Sequence, residues 1–245
     1  MNLDISHWRA LEPESKITEG NRNEVWRGSL GGEPVSIRRS RRDEPSLDWE
    51  LDLIEHLASL GFEVPTVRRS TDGRRHVNGI VVQRWLHGRP PDSTRDWQLV
   101  ADTLRRVHRL TSNYPQRPGC CAVAKLDRAS SSIDADMSAL PDDVASDVLS
   151  VFASVAAMPV SVIHGDPMAG NIRIVDNDVG LLDFDESRVD VAWHDLSNLG
   201  VQVLDEVEHS QATQLSDAWE AANGWVLEPE YAISRLEALR RSLTS

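Results

Sequence analysis

The sequence predicts a mixed α+β chain, its first part rich in short strands around one helix and its second part mainly helical. Three observations lead there. Short β-branched and aromatic runs broken by turn residues fill the first part, with a single helical apolar stripe among them. Helical stripes then recur at 97–110, 144–157, 211–222 and 228–243. Between the second and third of these, residues 160–183 form brief apolar runs whose connections concentrate His, Asp and Asn.

Element by element, Ile17–Gly20, the polar Asn21-Arg22-Asn23-Glu24 and Val25–Arg27 predict a strand, a turn and a strand. The Gly31-Gly32 pair suits a hairpin turn, and Pro34–Arg38 is the next strand. Leu47, Leu51, Ile54, Leu57 and Ala58 repeat at helical spacing, so Ser46–Leu60 is a helix, stopped by Gly61. Gly79–Pro90 reads as a buried strand that runs into a Gly/Pro connection. Trp97, Val100, Leu104, Val107 and Leu110 mark an amphipathic helix with Asp96 near its start, on which His108 has no distinguishing signal. From Thr111 to Asp143 the pattern fades, as expected of a substrate-covering loop or of plain surface. A helix over Val144–Ala157 follows, and helices around Gln211–Ala222 and Glu228–Leu243 end the chain, with Trp219 and Trp225 read as core or as pocket lining.

The chemistry concentrates in SVIHGDPMAGNIRIVDNDVGLLDFDES. Val160–Ile163 is a strand, and Gly165 and Pro167 make a turn that leaves the Asp166 carboxylate at its end, where a general base belongs. Five residues on, Asn171 offers a hard amide oxygen, and Ile172–Val175 returns as a strand. After the Asn177-Asp178 turn, Leu181 and Leu182 lead into Asp183, a second carboxylate. Transfer of a phosphoryl group needs charge neutralisation and an acceptor hydroxyl held in line, which these few side chains can provide.

HGDPMAGNIRI followed by GLLDFDES resembles the aminoglycoside phosphotransferase family, which includes antibiotic, choline and homoserine kinases. The resemblance implies a two-lobed protein-kinase-like fold: a small antiparallel-sheet N-lobe over residues 1–86 and a mainly helical C-lobe over 87–245. It implies a small-molecule hydroxyl substrate, Mg²⁺, and ATP or GTP as co-substrate. Asp166 matches the catalytic position, and Asn171 and Asp183 match the metal positions. His164 is a catalytic-loop candidate whose ring is expected to hydrogen-bond backbone and fix Asp166. Pro167 and Met168 depart from the Leu-His often found there.

The same resemblance makes Asp195, in VDVAWHDL, a brace for the loop, with a plain helix N-cap as the other reading. Asp185 and Glu186 are read as touching the groups around the metal, as contacts to a cationic substrate, or as a solvated acidic turn. In the first part, backbone around Asn21 and Asn23 would meet phosphates, with an ordinary polar hairpin as the other reading. Arg38 stands where a Lys is usual, keeping the charge in a planar fork toward the phosphates, with a basic edge strand as the other reading. Its helix partner is Glu50 rather than Glu55. Gln83, Trp85 and their neighbours from Gln83 to Leu86 would flank the nucleotide base.

The net charge is −13, and it is uneven. Residues 1–100 hold 15 Lys/Arg and 16 Asp/Glu, residues 101–245 hold 11 and 23. An acidic second part would concentrate a cationic small molecule and repel nucleic acid, with no nucleic-acid partner expected; an acidic surface that serves solubility alone is the other reading. No apolar run approaches the length of a membrane span, no secretory leader is visible, and the adjacent Cys120 and Cys121 suit neither a disulfide framework nor a zinc site. A cytoplasmic setting is expected. The open alternatives are a metabolic kinase of an amino alcohol or sugar, a non-catalytic nucleotide-binding pseudokinase, and, less favoured, a protein-substrate kinase.

Overall fold

The structure is a computed structural model that describes residues 4–17 and 23–244. The elements in order are β1 (Leu11–Ile17), β2 (Glu24–Leu30), β3 (Glu33–Arg39), α1 (Glu44–Ser59), β4 (His76–Val77), β5 (Ile80–Arg84), α2 (Thr94–Leu110) and α3 (Asp142–Ser154). Then come β6 (Val160–Ile163), β7 (Ile172–Val175), β8 (Asp178–Leu181), β9 (Arg188–Val191), α4 (Trp193–Leu196), α5 (Glu206–Gly224) and α6 (Pro229–Leu243).

The chain divides into two compact units, one of residues 1–90 and 172–182, the other of residues 91–171 and 183–245. The expected boundary at 86 falls four residues short of this one. The expectation also gave the hairpin β7–β8 to the second part, whereas it packs with the first. Backbone bridges explain the regrouping: Arg89 pairs with Ile174, and Glu63 with Gly180.

In the first unit β1 to β5 form an antiparallel sheet in the order β1-β2-β3-β5-β4. Val35, Ile37, Val77, Ile80 and Val82 gather on one face with Trp8 and Leu11, which is the period-two alternation of a half-buried sheet. The first strand differs from expectation. It runs over Leu11–Ile17, and residues 18–20 of the expected Ile17–Gly20 strand lie, with 21 and 22, outside the described chain. Its sequence LEPESKI is almost wholly exposed, as an edge strand allows, and Pro13 sits beside a register shift where its missing N–H is tolerated. Asp43 caps α1 by accepting from Ser46 N at 3.1 Å, and Pro45 occupies its first turn. Leu47, Leu51, Ile54 and Leu57 are all at most 1% exposed, each stabilising the unit by about 1.5–3 kcal/mol.

The second unit is helical around short strands. β6 pairs with β9, and α2 packs on β6 while α5 packs on α3 and α6. Its core joins Val144, Val148, Val151 and Phe152 of α3 to Leu215, Ala218 and Trp219 of α5. The segment between α2 and α3 is neither a loose cover nor plain surface: Val123 and Met137 are fully buried in that core, and Arg128 ties the carbonyls of Met137 and Leu140. α5 begins five residues before the expected Gln211, because Asp205 and Glu208 form a capping box. No helix of the described residues is long and apolar enough to cross a membrane.

Candidate active site

β6 leads into the candidate catalytic loop. Its last residues, Val162 and Ile163, are buried, so the chain that follows emerges from the core already anchored. Gly165 then takes φ +91°, and a Cβ there would lie 2.6 Å from Glu186 O, so the approach of the two segments requires glycine. Asp195, in α4 and fully buried, accepts from His164 N at 2.8 Å and from Gly165 N at 2.9 Å. Its Oδ2 also meets His108 Nε2 at 2.8 Å. Burial pushes the Asp195 carboxyl up, but the His108 bond and charge, His164 and the Gly165 N–H together hold it below the usual carboxylate range.

The loop closes on itself. Asn171 Nδ2 donates to Asp166 O at 3.0 Å and to Asp166 Oδ2 at 2.9 Å, so its remaining side-chain acceptor is Oδ1. Asn171 ends a short 3-10 turn, Ala169–Asn171, and its own N–H donates to Met168 O at 2.8 Å. His164 is 2% exposed, and its Nδ1 accepts from Asp166 N at 3.4 Å. The ring therefore lies against the backbone of the residue it was expected to fix.

Asp183 has φ +57°, a left-handed conformation that Asp adopts more readily than bulkier residues. The segment after it is clasped to the candidate loop. The Phe184 ring packs on the His164 ring with centroids 5.0 Å apart, and Ser187 Oγ donates to His164 O at 2.8 Å. His164, Asp166, Asn171 and Asp195 thus form one hydrogen-bonded group, with Asp183 at the head of a segment packed upon it.

In the first unit Arg38 on β3 and Glu50 on α1 are 5% and 1% exposed and form an ion pair through Arg38 Nη2. Glu55 is instead half-exposed and bonds Arg69 at 2.9 Å. Asn23 lies partly buried at the bend before β2, and Asn21 lies outside the described residues. Gln83 is buried with its amide donating to Pro65 O at 3.1 Å; Trp85 N donates to Pro34 O at 3.2 Å, and the Trp85 ring sits 5.3 Å from the Arg27 guanidinium. Asp185 is buried at 8% exposure, not part of a solvated turn.

Sequence reasoning passed over two residues. His108 looked ordinary, yet it follows Leu104 by four on the apolar stripe, and a polar residue on a buried face was the available signal. Arg117, 1% exposed, donates from Nη1 to the carbonyls of Phe184 (3.2 Å), Asp185 (2.7 Å) and Ser187 (3.0 Å). It lies in aperiodic sequence, with nothing to mark it.

A buried polar group lies nearby in the second unit. Arg188 Nε donates to Asp190 Oδ2 at 2.9 Å and stacks 3.7 Å over the Trp219 ring, while burial drives His194 down to about 4. In the first unit Glu44, Asp48 and His76 bring ligand atoms within 4.8 Å of one another. Arg75 already bonds Asp48 Oδ1 at 2.6 Å, and Arg42, Arg69 and Arg74 line the same cavity, which disfavours a cation.

The family described as phosphotransferase enzyme family, APH, matches residues 14–233. Aminoglycoside phosphotransferase APH(4)-Ia superposes with a TM-score of 0.67 at 14% identity, over 97% of this chain and 96% of that one. A microcompartment-associated aminopropanol kinase gives 0.63 at 15%, over 97% and 93%. A choline kinase from Cryptosporidium parvum Iowa II gives 0.59 at 12%, over 99% and 90%. At such identities the likeness shows the fold, which is the α+β fold of protein-kinase-like proteins. No curated protein sequence matches the chain. The family match spans nearly the whole sequence and includes both candidate loops, and the chain belongs to the phosphotransferase enzyme family.

Proposed function

We propose that this phosphotransferase moves the γ-phosphoryl group of ATP, with Mg²⁺, to a hydroxyl of a small amine-bearing molecule. One observation carries the reading: Asp166 and Asn171 bond each other in a loop braced by Asp195, with the Asp183 segment clasped against it. Asp166 orients the acceptor hydroxyl and takes its proton late, which suffices for a loose transition state. His164 supports this by holding the Asp166 backbone.

Asn171 Oδ1 and the Asp183 carboxylate are hard oxygen donors, the set that suits Mg²⁺. The bound ion supplies charge neutralisation on the transferring phosphates. Arg38, held by Glu50, contacts the phosphates nearer the nucleoside, and backbone at Asn23 covers them. Gln83 and Trp85 neighbour the base through their backbone, since the Gln83 amide is engaged at Pro65. The two free cysteines suit a cytoplasmic setting.

The amine follows from charge. Residues 101–245 hold 11 Lys/Arg against 23 Asp/Glu, a field that concentrates cations. Antibiotic modification is one role, and a metabolic kinase of an amino alcohol or sugar is the other. The test is acceptor-stimulated ADP release across aminoglycosides, amino alcohols and sugars, with ATP and GTP in parallel and the product mass as confirmation. A phosphorylated amine-bearing product supports the reading. A second reading is motivated by Arg38 standing in for Lys: a pseudokinase, for which nucleotide binds with Mg²⁺ and no acceptor is phosphorylated.

A further inference from the structure

Arg117 is a buried guanidinium that donates to backbone carbonyls. Its Nη1 lies 2.7–3.2 Å from the carbonyl oxygens of Phe184, Asp185 and Ser187, which converge on it just after Asp183. Next to it, Gln116 pairs both backbone groups of Val189: its Nε2 donates to Val189 O at 2.8 Å and its Oε1 accepts from Val189 N at 2.9 Å. The same Oε1 accepts from Arg117 N at 2.8 Å, so the two residues act as one piece. Together they grip the chain at 184, 185, 187 and 189.

We propose that Arg117 is a positioning residue that sets the cation affinity of Asp183; this rests on reading Asp183 as a metal ligand. Three converging carbonyls put the negative ends of three dipoles in a water-poor place, an arrangement that holds only with a positive donor among them. Asp183 itself is in the left-handed region, which a free segment would leave. Arg117 fixes the C-terminal side of that residue while the Phe184 ring is held on His164, so the carboxylate is presented in one pose before any cation arrives. All three contacts come from one guanidinium nitrogen, so an ammonium keeps the charge but, on a shorter stem, reaches the same carbonyls less closely. Outer partners of metal ligands commonly change metal affinity by about 10–100-fold.

The experiment is a Mn²⁺ titration by electron paramagnetic resonance with AMP-PNP present, on the wild type, Arg117→Met and Arg117→Lys. Melting midpoints and AMP-PNP affinity in EDTA are read on the same samples. The expected result is Mn²⁺ half-saturation raised about 10-fold or more in Arg117→Met and less in Arg117→Lys, with metal-free nucleotide affinity unchanged. A merely structural role would weaken both equally. A folded variant that binds Mn²⁺ within twofold of wild type overturns the proposal and leaves the Asp183 assignment standing. Failure of the wild type to bind Mn²⁺ with AMP-PNP overturns both. Should neither variant fold, hydrogen exchange of the wild-type 183–187 amides decides. Protection in the metal-free protein close to that of the Mn²⁺ complex supports a pre-set segment, and protection that appears only with metal overturns it.

Discussion

Asp195→Ala removes the acceptor of two backbone N–H groups and of His108 in one stroke. His164 N, Gly165 N and His108 Nε2 lie at 2.8, 2.9 and 2.8 Å from its carboxylate, and Asp195 is fully buried, so water does not replace it. Breaking a buried charged network of this kind costs about 3–5 kcal/mol. For a chain of this length that lowers the melting midpoint by roughly 6–20 °C. Catalysis falls further than stability alone requires, because displacing the loop by an ångström is enough to lose on the order of 100-fold in kcat. Asp195→Asn is gentler. With its amide oxygen toward His164 and His108, its NH₂ faces the Gly165 N–H, and one unmade bond costs about 1–3 kcal/mol. Differential scanning calorimetry and steady-state kinetics at a temperature where all variants are folded give both readouts. An Asp195→Ala protein with kcat within threefold of wild type, or with an unshifted midpoint, refutes the bracing argument.

Other outcomes follow from the same geometry. Asp166→Ala lowers kcat by about 10²–10⁴-fold in the ADP-release assay, with a melting midpoint near that of wild type, since Asp166 is only partly buried. Arg38→Ala strands Glu50 in the interior and destabilises by about 3–5 kcal/mol, while Arg38→Lys retains the pairing and most nucleotide affinity, both read by calorimetry and AMP-PNP titration. Gly165→Ala meets Glu186 O and an unfavourable φ together, so it loses both stability and turnover; a neutral variant contradicts the packing described. His194 titrates at about 4 when folded, below its unfolded value of roughly 6.5. The unfolded chain therefore takes up the proton first as pH falls, so this stability is full above about pH 6.5 and declines toward pH 4 by on the order of 3 kcal/mol. Chemical denaturation against pH shows that slope flattened in His194→Phe.

The elements with strong periodicity were legible in the sequence. The stripe from Leu47 to Leu57 marked α1, the spacing of Trp97 to Leu110 marked α2, and Gly31-Gly32 marked the β2–β3 hairpin. β1 was not, because an edge strand exposes nearly every side chain and leaves no alternation to read. The hairpin β7–β8 was recognised as strands, but its grouping with the first unit depends on long-range bridges at Glu63 and Arg89 that no local pattern encodes. In the candidate site, the Asp-x4-Asn interval was readable because both partners belong to one short loop. His108 and Arg117 act on residues 87 and about 70 positions away, so their partners appear only once the chain is folded.

The most direct test is a crystal structure with AMP-PNP, Mg²⁺ and a confirmed acceptor. The account predicts an octahedral ion with Asn171 Oδ1 and an Asp183 oxygen at about 2.0–2.1 Å, and Asp166 within hydrogen-bond reach of the acceptor hydroxyl. An ion held by other residues, or an Asp166 carboxylate turned away from the acceptor, contradicts it.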